Sequence, residues 1–179
     1  DEAIREKTSQ DILNNLKLVF DNEGTITAGT ASPLTDGASA TLICSEDYAK
    51  KNNLNILAKI ISTAVQGCKP ELMGLGPIEA SKKALKRANL SIKEIDIIEL
   101  NEAFASQSLA CIKDLNIDHE KVNIDGGALA LGHPLGATGV RITAKAAQIM
   151  QRENKRYALA TQCIGLGMGI ATILENYQK

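Results

Sequence analysis

Two side chains in the carboxyl-terminal part of the sequence could together perform thiol chemistry. His133, one of two histidines in 179 residues, lies in a glycine-rich stretch, and Cys163 is followed directly by another such stretch. An imidazole can take a proton from a thiol, and a thiol of lowered pKa becomes a base or a nucleophile. The amides of nearby glycines, above all Gly165, could donate hydrogen bonds to a developing oxyanion. The sequence therefore predicts a site with a base, a thiol and an anion-binding loop.

Each of these residues also has an ordinary structural explanation when it is considered alone. A loop histidine is often satisfied by backbone groups, and a single cysteine is often a small buried apolar residue. Asn101 follows an apolar run and precedes a helical pattern, which also suits a helix N-cap. His119 lies in the polar segment NIDHEK and is expected to be solvated. The functional interpretation rests on Asn101, His133 and Cys163 occurring together.

The glycine-rich stretches do not match nucleotide-binding motifs. The segment from Gly127 to His133 has the spacing of a P-loop, but His133-Pro134 stands where that motif requires Lys and Ser or Thr. The glycines after Cys163 lead into a second strand, so no helix N-terminus is offered to a pyrophosphate. We therefore predict no nucleotide site at either stretch.

Composition excludes several classes of protein. Hydrophobic residues make up 44% and charged residues 23% of the chain, which is typical of a globular domain. The net charge of −1 gives no support for binding nucleic acid or an anionic membrane. The four cysteines lack metal-ligand spacing, so we expect no metal, and we expect Cys44, Cys68 and Cys111 to be buried. The polar start of the chain carries no hydrophobic signal core, which favours a cytoplasmic protein.

The order of apolar and amphipathic segments predicts an α/β domain. Strands are predicted at 38–44, 54–65, 95–100, 122–125, 157–163 and 168–175, and helices within 1–20 and at 46–52, 74–90, 103–115 and 140–152. From residue 53 onward this order implies a mixed sheet with helices on both faces. A boundary at Asn52-Asn53 divides a leading part, 1–52, from the main domain, 53–179. Sites in such sheets collect where loops leave the strand ends, and Asn101, His133 and Cys163 are predicted on such loops.

Three blocks of the sequence resemble the carboxyl-terminal signatures of the thiolases. They are NEAFA at 101–105, GGALALGHPLGATG at 126–139 and QCIGLGMG at 162–169, and the resemblance extends over the whole chain. It implies a fold of two similar halves, in which residues 53–179 form the second half with a mixed five-stranded sheet. Residues 1–52 would be the tail of the CoA-binding loop region and the end of the first half. Within the family the sequence is most similar to acetyl-CoA acetyltransferases, and a longer-chain 3-ketoacyl-CoA thiolase is the alternative.

The resemblance implies a role for each residue of the predicted site. His133 would be the base that activates the acyl-accepting nucleophile, and Cys163 would move a proton to and from the α-carbon of the second acetyl group. Asn101 would hold a water that forms one oxyanion hole with His133. The backbone N–H of Gly165 would contribute to another oxyanion hole.

The resemblance also implies how the substrate is bound. Coenzyme A would be a substrate rather than a resident cofactor, with Ala28, Ser32 and Phe104 along the pantetheine and Arg5 towards the nucleotide. The expected partners are an acyl-CoA, the amino-terminal half of the same enzyme, and further copies in a homodimer or homotetramer.

One departure from the family pattern concerns the acyl-carrying nucleophile. In thiolases this is a Cys in a C-x-S-G segment of the first half, and this chain contains no Ser-Gly dipeptide. We therefore expect the chain by itself to be inactive. A non-catalytic CoA-binding piece and a condensing ketoacyl synthase remain alternatives, although a ketoacyl synthase would not need the Cys of QCIGLGMG.

Overall fold

A four-stranded mixed sheet lies at the centre of the structure, a computed structural model that describes residues 3–178. The predicted chain limits, Asp1 and Lys179, lie outside the described residues. The spatial order of the strands is β1-β4-β3-β2, with β2 parallel to β3 and the other pairs antiparallel. The strands are β1 (Ala58–Gly67), β2 (Ile97–Leu100), β3 (Tyr157–Ile164) and β4 (Met168–Asn176).

Helices cover both faces of this sheet, as the sequence predicts. The α-helices are α1 (Gln10–Asn14), α2 (Glu46–Lys51), α3 (Gly76–Ala88), α4 (Ala105–Asp114), α5 (Ala128–Leu131) and α6 (Leu135–Arg152). Single 3₁₀ turns lie at Pro70–Leu75, Ile92–Glu94 and His119–Lys121. Helices α3 and α4 pack on one face, and α6 packs on the other.

Each inner strand contributes side chains to both cores. Ile98, Leu159 and Ile173 join the core under α3 and α4, whereas their neighbours Ile97, Ala158 and Leu174 join the core under α6. Successive side chains of a strand point to opposite faces, so a strand covered on both sides must be apolar at every position. This requirement explains the uninterrupted apolar runs of β2 and β3.

Helix α6 is longer than its amphipathic pattern predicts. It begins at Leu135 rather than Val140, after Pro134 at the N-cap. The predicted apolar side is buried, with Ile142, Ala146, Ile149 and Met150 each at most 4% exposed. Full burial of a side chain such as Ile149 contributes about 1.5–3 kcal/mol, so this side anchors the helix that follows the His133 loop.

The prediction of a five-stranded sheet is wrong for the described residues, because 122–125 forms no strand. Only one parallel bridge joins Val122 to Ile98, and the N–H of Asn123 donates to the Ile98 carbonyl. Asn123 then adopts a φ of 48°, which turns the chain away from the edge of β2. Its side-chain amide continues the pairing by accepting from the Leu100 N–H at 3.0 Å and donating to the Leu100 carbonyl at 2.8 Å.

The predicted strand at 38–44 is also absent. The segment forms no ladder within the described residues, and Leu42 and Ile43 are each 72% exposed. A strand needs a neighbour for its backbone hydrogen bonds, and the chain places none beside this segment. The strand predicted from residue 54 begins at Ala58, and α1 is the only helix among the described residues before 21.

The cysteines are less uniformly buried than predicted. Cys111 is fully buried, Cys68 is half-buried and Cys44 is exposed. No group of three or more potential metal-ligating side chains is present within residues 3–178. None of the helices described is long and apolar enough to cross a membrane.

Candidate active site

Asn101 lies directly beyond the end of β2, where a parallel pair of strands opens. Its N–H donates to the Thr161 carbonyl on β3 at 3.0 Å, so the parallel register continues one residue past Leu100. The residue is 1% exposed, and its side-chain Nδ2 lies 3.4 Å from Nε2 of His133. Asn101 is not the N-cap of α4, because that position belongs to Phe104. The structure thus brings Asn101 and His133 together across 32 residues of sequence.

The His133 loop is built around a glycine that no other residue could replace without strain. Gly132 follows α5 with a φ of 94°, and a Cβ at this position would lie 2.3 Å from Oγ1 of Thr35. The same Thr35 oxygen accepts the N–H of His133 at 3.2 Å. Gly132 therefore allows the loop to approach the leading segment of the chain closely, and that segment in turn fixes the backbone of His133.

A hydrogen-bond chain assigns the tautomer of His133. Nδ1 of His133 lies 2.7 Å from Oγ1 of Thr138, and that hydroxyl donates its single proton to the Pro134 carbonyl at 3.0 Å. The hydroxyl must then accept from the ring, so Nδ1 carries the hydrogen in the neutral imidazole. Nε2 is left with its lone pair directed towards the Asn101 amide, which donates to it. This nitrogen is the one that can accept a proton.

The surroundings keep His133 neutral. Burial lowers the pKa of the half-buried imidazole, and the nearby Arg141 guanidinium lowers it further by repelling a second positive charge. Arg141 itself donates to the Gly132 carbonyl at 3.0 Å, which holds the loop against α6. At neutral pH the ring is therefore in the form that acts as a base.

Glu102 joins two of the sequence blocks, and sequence reasoning did not single it out. Its Oε1 accepts from Nδ2 of Asn123 at 2.8 Å, and its Oε2 accepts from the N–H of Leu129 at 3.0 Å. A Cβ on Gly127 would lie within 2.3 Å of the carboxyl group, so this glycine makes room for it. A carboxylate directly after Asn101 in NEAFA was the available signal. Thr35 and Thr138 were also missed, because nothing in the local pattern distinguishes them.

Cys163 lies within β3 rather than on a loop, which corrects the prediction. It is the penultimate residue of the strand and pairs with Gly169 of β4. Its position two residues after Thr161 places it at the same end of the sheet as Asn101, but within residues 3–178 no hydrogen bond joins it to His133. Burial raises the pKa of its thiol, and Cys68 raises it further. The resting side chain is therefore a neutral thiol, not the thiolate of lowered pKa that the sequence pattern favours.

Gly165 begins the three-residue turn between β3 and β4. It is exposed, and a Cβ at this position would meet nothing within 4 Å. Leu166 and Gly167 follow with φ values of 68° and 88°, which reverse the chain. The side chain of residue 165 is therefore not restricted by packing within the described structure, and any function of Gly165 would come from its exposed backbone.

Two of the four residues predicted to bind CoA lie beside the site. The N–H of Ser32 donates to the Ala103 carbonyl at 3.0 Å, and the ring of Phe104 packs edge-on against Phe20 with centroids 6.4 Å apart. Ala28 is exposed in the turn that precedes this contact. Arg5 is exposed before α1, and no hydrogen bond or ion pair of its side chain is present within residues 3–178.

Comparisons with known proteins place the chain in a family. A family model described as thiolase, C-terminal domain matches residues 54–176, and one described as thiolase, N-terminal domain matches residues 1–47. The 3-ketoacyl-CoA thiolase of Vibrio vulnificus is 54% identical over 180 residues, covering 98% of this chain and 46% of the relative. That of Aliivibrio salmonicida is 55% identical over 179 residues, with the same coverage.

Solved structures show the same relationship. Human mitochondrial 3-ketoacyl-CoA thiolase superposes with a TM-score of 0.96 at 48% identity, over 98% of this chain and 45% of that one. The acetyl-CoA acetyltransferase of Bacillus anthracis superposes with a TM-score of 0.95 at 40% identity and the same coverage. The chain spans about half the length of the curated relatives it matches. It belongs to the thiolase family.

Proposed function

We propose that this chain is the acid–base half of a 3-ketoacyl-CoA thiolase, which cleaves a 3-ketoacyl-CoA with a second CoA to give acetyl-CoA and a shortened acyl-CoA. The curated relatives at 54–55% identity carry that name, whereas the acetyl-CoA acetyltransferase of Bacillus anthracis is 40% identical. These relatives favour the longer-chain alternative over the short-chain acetyl-CoA acetyltransferase preferred from the sequence. The observation that carries the proposal is the hydrogen-bond chain that leaves Nε2 of His133 free to take a proton.

In the proposed reaction His133 prepares the nucleophile. Its neutral ring accepts the proton of a cysteine thiol supplied by the C-x-S-G segment, and the resulting thiolate attacks the acyl carbonyl. The Thr138 hydroxyl holds the ring in the tautomer that this step needs. Burial of the ring supports the step because it lowers the pKa of His133 and disfavours the imidazolium before substrate arrives.

Cys163 handles the proton at the α-carbon. When the carbon–carbon bond of the 3-ketoacyl group breaks, the departing acetyl-CoA carbanion needs a proton, and a neutral thiol can donate it. The raised pKa of Cys163 suits a group that begins as an acid. In the reverse, condensing direction the thiolate would remove the same proton.

Two hydrogen-bonding sites would stabilise the oxyanions of these steps. Asn101 and His133 form one, with a water on the amide as the second donor. The N–H of Gly165 contributes to the other, from a turn whose backbone is exposed. Ser32 and Phe104 lie near enough to this end of the sheet to line the pantetheine arm of CoA, and we propose Ala28 and Arg5 as outer contacts of the same substrate.

The test is an assay of thiolysis with and without the missing nucleophile. The chain alone should show no CoA-dependent cleavage of acetoacetyl-CoA or of a 3-ketoacyl-CoA with a longer acyl group. Association with a polypeptide that carries the C-x-S-G cysteine should give cleavage of both, and the longer substrate should be the better one. His133→Ala in the associated form should abolish formation of the acyl-enzyme. Cleavage by the chain as a pure monomer, or a strong preference for acetoacetyl-CoA, would contradict the proposal.

A further inference from the structure

A buried carboxyl group next to the site has no role in the reaction described above. Glu99 lies on β2, two residues before Asn101, and is 3% exposed. Its Oε1 is buried without a hydrogen-bond partner within the described structure, and Oδ1 of Asn101 is in the same condition. An unpaired buried acceptor costs roughly 1–3 kcal/mol, so two of them close together on one strand call for a shared explanation.

Both residues line one small internal cavity. Its volume is about 20 Å³, which exceeds the roughly 10–15 Å³ that a single water needs. Arg141, Lys145 and Asn123 complete its polar lining. Their hydrogen bonds are already committed elsewhere. Arg141 and Lys145 donate to the carbonyls of Gly132 and Gly126, and both side-chain atoms of Asn123 are paired.

We propose that one internal water in this cavity bridges Oε1 of Glu99 and Oδ1 of Asn101, and that Glu99 is thereby a positioning residue for Asn101. The water donates one hydrogen to Asn101 whether Glu99 is ionised or protonated. An ionised Glu99 accepts the other hydrogen of the water, and a protonated Glu99 donates to the water oxygen. With Oδ1 fixed towards the cavity, the NH₂ group of Asn101 must face Nε2 of His133. The proposal rests on the proposed function only in taking His133 as the base that benefits.

The amide orientation determines how readily His133 binds a proton. In the observed orientation Nδ2 of Asn101 donates to the lone pair of Nε2, which stabilises the neutral ring. If the amide rotated by 180°, Oδ1 would face Nε2 and would stabilise the protonated ring instead. Loss of the bridge therefore raises the pKa of His133.

Other charges around the cavity act on Glu99 in both directions. Its pKa is raised to about 7, mainly by burial, while Lys145 and Arg141 of α6 lower it, and Asp125 and Glu102 raise it. Replacement of the carboxyl by an amide keeps hydrogen-bonding groups for the bridge but removes any negative charge. Removal of a negative charge can only lower the pKa of His133, so the two effects differ in sign.

The experiment measures the pKa of His133 by NMR in the 179-residue chain. Only two histidines are present, and a His119→Gln background leaves a single imidazole signal to titrate. Glu99→Leu should raise the pKa of His133 by about one pH unit, the size of shift that a single strong contact produces. Glu99→Gln should leave the pKa unchanged or slightly lower. Asn176→Leu is the matched control, since it removes a buried polar side chain at the other end of the sheet and should not alter the pKa.

Three results would overturn the inference. An unchanged pKa in folded Glu99→Leu would show that Glu99 does not orient Asn101, and an equal rise in Glu99→Gln would show that the bridge is not the cause. A crystal structure of the wild-type chain tests the bridge without any variant: an ordered water within hydrogen-bond distance of both oxygens supports it, and a direct contact between Glu99 and Asn101 excludes it. None of these readouts requires turnover, so failure here is distinguishable from failure of the proposed function.

Discussion

Replacement of Thr138 by valine should alter the tautomer of His133 without disturbing the fold around it. Valine matches the shape of threonine, and position 138 is fully buried in α6, so the packing is kept. The change removes the hydroxyl that accepts from Nδ1 of His133 at 2.7 Å. A hydrogen bond contributes a net of about 0.5–1.5 kcal/mol. The ratio of Nδ1–H to Nε2–H tautomer should therefore fall by a factor of about 2 to 12.

Helix α6 also provides a matched control for this substitution. Oγ1 of Thr143 donates to the Gly139 carbonyl at 2.7 Å, which is the same bond to the residue four positions earlier that Thr138 makes to Pro134. Thr143→Val should therefore lose the helical bond alone. Thr138→Val should cost a further 1–3 kcal/mol or so in unfolding free energy, because the ring N–H loses its acceptor.

Long-range ¹⁵N NMR of the imidazole reports the tautomer directly, and urea unfolding reports the stability. The reasoning fails if the tautomer ratio in Thr138→Val equals that of wild type. It also fails if Thr143→Val shifts the ratio by the same amount.

Three further substitutions test other parts of the structure. Because burial raises the pKa of Glu99 to about 7 from an ordinary value of 4.5, the folded state holds this proton more tightly, and stability falls as pH rises between these values. Glu99→Gln should remove this loss and be up to about 3 kcal/mol more stable than wild type at pH 8, with little difference at pH 4.5, in urea unfolding at both pH values. Gly169→Ala should destabilise by about 3 kcal/mol or more in the same assay, since its Cβ would lie 2.1 Å from the backbone of Gly76. Gly136→Ala is its control, and with open space around the Cβ in a helix it should stabilise by about 0.4–1 kcal/mol. In the associated enzyme, Cys163→Ser should slow condensation by about 100- to 10,000-fold and acyl transfer to the nucleophile far less, as single-turnover kinetics would measure; equal losses in both half-reactions would refute the assigned role.

Local pattern was enough to predict most of the secondary structure. The apolar runs of β2, β3 and β4 and the buried side of α6 follow from which residues must avoid water, and this is written in their spacing. The pairing of Asn101 with His133 was also anticipated, because both belong to sequence blocks with a recognisable family pattern.

Strand pairing could not be predicted in the same way, because it depends on a neighbour. The segments 38–44 and 122–125 have the composition of strands, yet the first has no partner among the described residues and the second makes a single bridge. In the second case Asn123 ends the pairing by taking a left-handed conformation, and its side chain supplies the hydrogen bonds that a strand backbone would have made.

The sequence by itself determined the chemistry available, namely an imidazole, a thiol and an amide in blocks of fixed order. Only the tertiary structure decided the state of each group. Burial raises the pKa of Cys163 and lowers that of His133, and the side chain of Thr138 selects the tautomer. These effects arise from desolvation and from hydrogen bonds whose strength depends on tenths of an ångström, and neither quantity exists until the chain has folded.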